Sequence, residues 1–157
     1  MARTYVIADL HGRRDLLTAA RRAIAARSRC DPATVVTLGD YVDRGPQSRE
    51  VVELMANLQR DPPPKWRVVC LKGNHEAPLE QALRHPARLL NWIAKGATPR
   101  CGPTARRALR DLSVIPADHR AWIAALQVIH VNHHRIYDVH AGRRRPAARS
   151  AAGRNSS

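Results

Sequence analysis

The chain has 157 residues, 44% of them apolar and 25% charged. That is the size and balance of one globular domain, and it excludes a two-domain layout, a collagenous repeat and broad disorder. Aromatic residues make up only 4%, with no phenylalanine, and Lys plus Arg number 27 against 13 acids for a formal charge of +14. The first figure nearly removes a stacking platform for single-stranded nucleic acid. The second describes a surface that attracts phosphate-bearing partners, although arginine-favouring codon usage accounts for the same bias.

In chain order, Tyr5-Val6-Ile7-Ala8 reads as a short buried strand cut off by Asp9. It is too short for a secretory signal or a membrane span, so a cytoplasmic setting is expected. Leu16, Leu17, Ala20, Ala23 and Ile24 then recur with helical spacing, Thr34 to Leu38 forms a second β-branched run, and Val51, Val52, Leu54, Met55 and Leu58 predict a second helix. Asp61-Pro62-Pro63-Pro64 ends that helix, since proline lacks the amide hydrogen it needs. Arg67 to Leu71 is the third strand. The order βαβαβ predicts an α/β protein with a parallel sheet and helices packed on its faces.

Beyond the third strand the pattern predicts a helix over Leu79–Ile93 broken at Pro86, a loop over Gly96–Pro103, a helix from Pro116 through Leu126, and a fourth strand at Ile136–Val139. His133 and His134 read as solvated loop histidines before that strand. From Arg143 the chain turns to arginine and small polar residues, which predicts a folded domain over 1–142 and a basic, disordered tail over 143–157. Cys30, Cys70 and Cys101 are too few and too scattered for a disulfide framework or a thiolate zinc site.

Each strand is followed at once by chemistry-bearing residues: Asp9-Leu10-His11, then Gly39-Asp40-Tyr41-Val42-Asp43-Arg44-Gly45, then Gly73-Asn74-His75-Glu76, and last His140-Ala141-Gly142. Ligand sites of parallel sheets lie off the carboxyl ends of the strands, so these loops converge on one crevice. Carboxylate, imidazole and amide donors without thiolate suit divalent manganese, iron or zinc. Taken singly, each motif has an ordinary reading as a helix cap, a glycine-rich turn or a surface histidine. Their placement on successive strand ends is what favours a metal-centred phosphate site.

With these residues in hand, the sequence resembles the calcineurin-like metallophosphoesterases. The branch in question carries GDxxDRG and GNHE and includes serine/threonine protein phosphatases and symmetrical dinucleoside tetraphosphatases. The resemblance implies a layered sandwich built on the parallel βαβαβ core. It also implies two divalent ions, manganese first among them: Asp9 and His11 on one, Asp40 bridging, Asn74 and His140 on the other. His75 would protonate the leaving group, Asp43 would orient His75, and Arg44 would grip the phosphoryl group. A water shared by two cations loses its proton readily and attacks phosphorus without a covalent enzyme intermediate.

Family members usually continue past the HAG motif to a late histidine in a V-x-G-H-T context, and no such histidine follows His140 here. The second sheet is therefore expected to be incomplete, as in a truncated or frame-shifted gene, with activity weakened. The expected activity is phosphoserine/phosphothreonine hydrolysis of protein phosphatase type on phosphorylated proteins or small phosphoesters. The alternatives are hydrolysis of dinucleoside polyphosphates and an inactive phosphate- or protein-binding remnant. Neither membrane nor nucleic acid is an expected partner.

Overall fold

A computed structural model of the chain describes residues 3–29, 31–89, 92, 112–132 and 135–138. Strand β1 (Arg3–Ile7), helix α1 (Arg14–Ser28), strand β2 (Ala33–Thr37), helix α2 (Ser48–Arg60) and strand β3 (Trp66–Cys70) follow one another as the alternation of patterns requires. The three strands pair in the order β1-β2-β3, all parallel, with Val6 opposite Val36 and Val36 opposite Val69. Helix α3 (Glu76–Arg84) comes next, then 3-10 turns at Pro86–Arg88 and Leu112–Val114, helix α4 (Ala117–Ala125), and the antiparallel pair β4 (Ile129–Asn132) and β5 (Arg135–Asp138).

Alternation along each strand divides the core in two. Val35, Val68 and Cys70 face the helices and pack with Leu17 and Ile24 of α1, Val51, Met55 and Leu58 of α2, Leu79 and Ala82 of α3, and Ile123 of α4. Val36, Val69 and Leu71 face the other way and form a second, smaller cluster against Leu38 and Tyr137. The expectation of helices on both faces is thus corrected: the helices share one face, and the β4–β5 hairpin lies against the other. This is the two-sheet sandwich layout. The central strand β2 is buried along its whole length, whereas Val6 of β1 is half exposed because the hairpin covers little beyond β2 and β3.

Several expectations shift in detail. Leu16 points outward, since only Leu17, Ile24 and Ser28 of α1 are buried. Helix α3 stops at Arg84, ahead of Pro86, whose ring and missing amide hydrogen cannot continue it. Pro116 stands just before α4 and not within it. The fourth strand is not a buried member of the parallel sheet: it is β5, with Ile136 68% exposed, so Asp138 is no anomaly there. Its partner β4 escaped the pattern, because Ile129-His130-Val131-Asn132 is short and alternates with polar residues. Residues 90, 91 and 93 of the third expected helix, the Gly96–Pro103 loop, His133, His134, Cys30, Cys101 and the tail over 143–157 lie outside the described residues. No helix among the described residues is long and apolar enough to cross a membrane.

Candidate active site

The loop after β1 folds onto the loop after β2 through backbone bonds: the amides of Leu10 and His11 both donate to the Asp40 carbonyl, at 3.0 and 2.7 Å, and that of Gly12 to Tyr41 at 2.8 Å. The loop after β3 closes equally tightly. A Cβ on Gly39 would fall 2.1 Å from the Gly73 nitrogen, and one on Gly73 would fall 2.1 Å from Asp40 Oδ1. Glycine at these two positions is therefore what lets the loops meet. His11, Asp40, Asp43 and Arg44 all hold left-handed backbone, with φ of 41°, 53°, 69° and 63°. Such conformations are costly for side-chain-bearing residues and gather where structure serves a site.

Glu76 fastens the assembly. It is fully buried, and its carboxylate accepts four backbone amides: Oε1 from Tyr41 at 2.8 Å and Val42 at 3.2 Å, Oε2 from Asp40 at 2.8 Å and Gly73 at 2.9 Å. Burial and the nearby Asp40 push its pKa up, while the amides of Asp40, Val42 and Tyr41 pull it down; the net direction is upward. The GNHE motif holds this residue, but no strand-end argument assigned it a role. Three of its four partners lie 34 to 36 residues away, and all four are backbone groups, which leave no mark in sequence.

Asp40 is nearly inaccessible, and its Oδ1 accepts the His75 amide at 3.0 Å. His11 donates Nδ1–H to the Val42 carbonyl at 3.0 Å, since a carbonyl can only accept. In the neutral ring Nε2 is then the lone-pair nitrogen. This atom is buried, has no hydrogen-bond partner, and lies 3.7 Å from both Asp9 Oδ2 and Asp40 Oδ2. A nitrogen lone pair facing two carboxylates is unfavourable unless a cation stands among them, so the donor set fits a divalent metal of the imidazole–carboxylate kind. Ligand atoms of His11, Asp40 and His75 also fall within 4.8 Å of one another.

Both ring nitrogens of His75 are engaged, however. Nδ1 donates to Asp43 Oδ2 at 2.8 Å, and Nε2 accepts from Arg44 Nη2 at 3.3 Å. His75 in this state suits proton transfer better than metal ligation, while His11, whose Nε2 is uncommitted, suits ligation. Burial pushes Asp43 above the usual carboxylate range, opposed by the hydrogen bond and the charge of His75. The buried Trp92 indole faces the same carboxylate without closing a hydrogen bond. The His11 and His75 rings stack edge to face at 4.7 Å.

Of the residues singled out from sequence, Asp9, His11 and Asp40 come together on one side, and His75, Asp43 and Arg44 on the other. Asn74 sits exposed on the loop beside His75, and His140 lies outside the described residues. Residues 2–153 match the family described as calcineurin-like phosphoesterase. The chain belongs to that family. As a calcineurin-like phosphoesterase it carries Asp9, Asp40 and His75 just past the carboxyl ends of the parallel strands β1, β2 and β3. It is also similar in fold, with a TM-score of 0.53 and 23% identity, to a solved structure described as a "putative diadenosine tetraphosphatase". The match covers 80% of this chain and 43% of that one, so the chain spans less than half of that protein's length. No curated protein sequence matches the chain.

Proposed function

We propose that this phosphoesterase hydrolyses phosphoserine and phosphothreonine esters on proteins, with manganese as the working ion. The observation that carries this reading is the Arg44–His75–Asp43 relay, at 3.3 and 2.8 Å, set beside the His11–Asp40 donor pair. Asp9, His11 and Asp40 would hold one ion, and Asp40, Asn74 and His140 a second. Divalent ions bound there supply a more acidic water and neutralise phosphoryl charge.

The chain's own residues do the rest. Arg44 is exposed, and its planar guanidinium suits two phosphoryl oxygens at once. As Arg44 turns to those oxygens it leaves His75 Nε2 free to take up a proton. Asp43, holding Nδ1–H, favours the resulting imidazolium. The P–O bond to the leaving side chain then breaks, and Nε2 delivers its proton to the departing oxygen. The exposed positions of Asp9, Arg44 and Asn74 suit a phosphate presented on the surface of another protein.

Dinucleoside polyphosphate hydrolysis is the second reading, favoured by the description of the structural neighbour. The test is p-nitrophenyl phosphate hydrolysis with added manganese, then a phosphothreonine peptide against diadenosine tetraphosphate. Turnover lost in both Asp40→Ala and His75→Ala supports the enzyme, and a higher kcat/KM on the peptide supports the protein-directed reading. Preference for diadenosine tetraphosphate replaces that reading with the second. Absence of turnover with any divalent metal would instead make the chain a binding remnant.

A further inference from the structure

Among the described residues, six non-glycine residues hold left-handed backbone: four are the site residues His11, Asp40, Asp43 and Arg44, and the other two are Arg29 (φ 45°) and Lys65 (φ 66°). Those two are 36 residues apart in sequence, yet both line a single cavity of about 630 Å3. Arg29 follows directly after α1, where a chain leaving a helix in this conformation ordinarily uses glycine. Lys65 precedes β3. An observed backbone outlier is grounds for asking what the side chain does, and here both outliers carry a cation into the same space.

The other walls agree. Arg21 and Arg22 of α1 also line the cavity, and Asp31 is the one acid among its described lining residues. Arg21, Arg22 and Arg29 make no ion pair among the described residues, where the pairs present involve other side chains. Four cations against one acid, with three of the cations unneutralised, repel one another until an anion enters. The half-buried indole of Trp66 adds a flat apolar wall. The cavity borders the amino ends of β2 and β3, whereas the metal donors lie beyond the carboxyl ends of the strands. Strands of five residues separate the two by about 17 Å.

We infer that this cavity is a second, non-catalytic site for an oligophosphate anion, held by Arg21, Arg22, Arg29 and Lys65. Several guanidinium groups around one cavity suit a chain of phosphates better than a single carboxylate. Trp66 is placed to stack on a base if the phosphates belong to a nucleotide. The inference stands apart from the catalytic reading, because it uses none of the same residues.

The test is calorimetric titration of the full chain with inorganic tripolyphosphate and with ADP, in the presence of a chelator that keeps metal out of the catalytic end. One saturable site that weakens with salt is expected, with affinity falling about tenfold in Arg22→Glu. Arg29→Gly separates a binding role from a structural one. Glycine accepts the left-handed backbone, so the thermal midpoint holds or rises while affinity falls about tenfold. Hydrolysis of p-nitrophenyl phosphate stays unchanged in both variants. Tighter binding of ADP than of tripolyphosphate, erased by Trp66→Leu, would identify a nucleotide as the source of the phosphates; equal binding would identify free oligophosphate. No binding to the parent chain, unaltered affinity in both arginine variants, or loss of binding in Asp40→Ala, which would place the anion at the catalytic end, overturns the inference.

Discussion

Glu76 shows most sharply how one side chain holds the site. Its four amide donors come from two loops, and only an ionised carboxylate can accept from all of them, two per oxygen. In Glu76→Gln the new amide group points hydrogens at two backbone N–H groups. A cost of about 3 kcal/mol in unfolding free energy is expected, in the range found when a buried charged group loses its partners, together with loss of metal-dependent turnover. Urea denaturation measures it, and an unchanged midpoint would refute the role. A second residue-scale effect concerns Cys70. Burial pushes its thiol up to about 11, whereas an unfolded thiol titrates near 8.5. Between these values the folded state keeps a proton that the unfolded chain releases, so stability must fall as pH rises from about 9 to 11, by roughly 2–3 kcal/mol from this group. Denaturation at pH 8 and pH 10.5 in the parent and in Cys70→Ala tests the sign: the variant should lose less over the same interval.

At the scale of elements, the strand-end loops work as one body because their backbones touch. Gly73→Ala would set a methyl group against Asp40 Oδ1 and, at 2.3 Å, against the Asp40 nitrogen. The β-sheet should survive in far-ultraviolet circular dichroism while turnover with manganese drops by at least about tenfold, since even a 1 Å misplacement of catalytic groups is costly. Full activity in Gly73→Ala would show that the close approach is dispensable. The parallel alternation and its three strands were legible from the β-branched runs and the helical spacing between them, because each of those strands keeps at least part of its length in the core. Strand β4 was not legible. Four residues with polar alternates carry too little apolar pattern to stand out, and His130 and Asn132 disguise it as loop. The motif glycines were readable as turn residues, but the left-handed conformations of His11, Asp40, Asp43 and Arg44 were not, because tertiary contacts impose them against local preference.

For the molecule as a whole, the gathering of Asp9, His11, Asp40, Asp43, Arg44 and His75 was legible because strand topology delivers successive loop motifs to one end of a parallel sheet. The division of labour among them was only partly so. Local pattern alone does not separate His11 from His75; the resemblance gives the first to an ion and the second to the leaving group, and their hydrogen bonds also differ: Val42 holds His11 Nδ1 and leaves Nε2 uncommitted, whereas Asp43 and Arg44 occupy both nitrogens of His75. Codon bias explains the large positive charge as readily as function does, since composition does not show where the arginines gather. Folding brings several of them to the end opposite Asp9, His11 and Asp40. Metal-dependent hydrolysis by this chain requires that His11, Asp9 and Asp40 form a cation site. Its most direct test is manganese titration of the purified chain followed by electron paramagnetic resonance, with His11→Ala and Asp40→Ala alongside. Saturable manganese binding in the parent, weakened at least about tenfold in each variant, is the predicted result; equal binding by all three chains would contradict it.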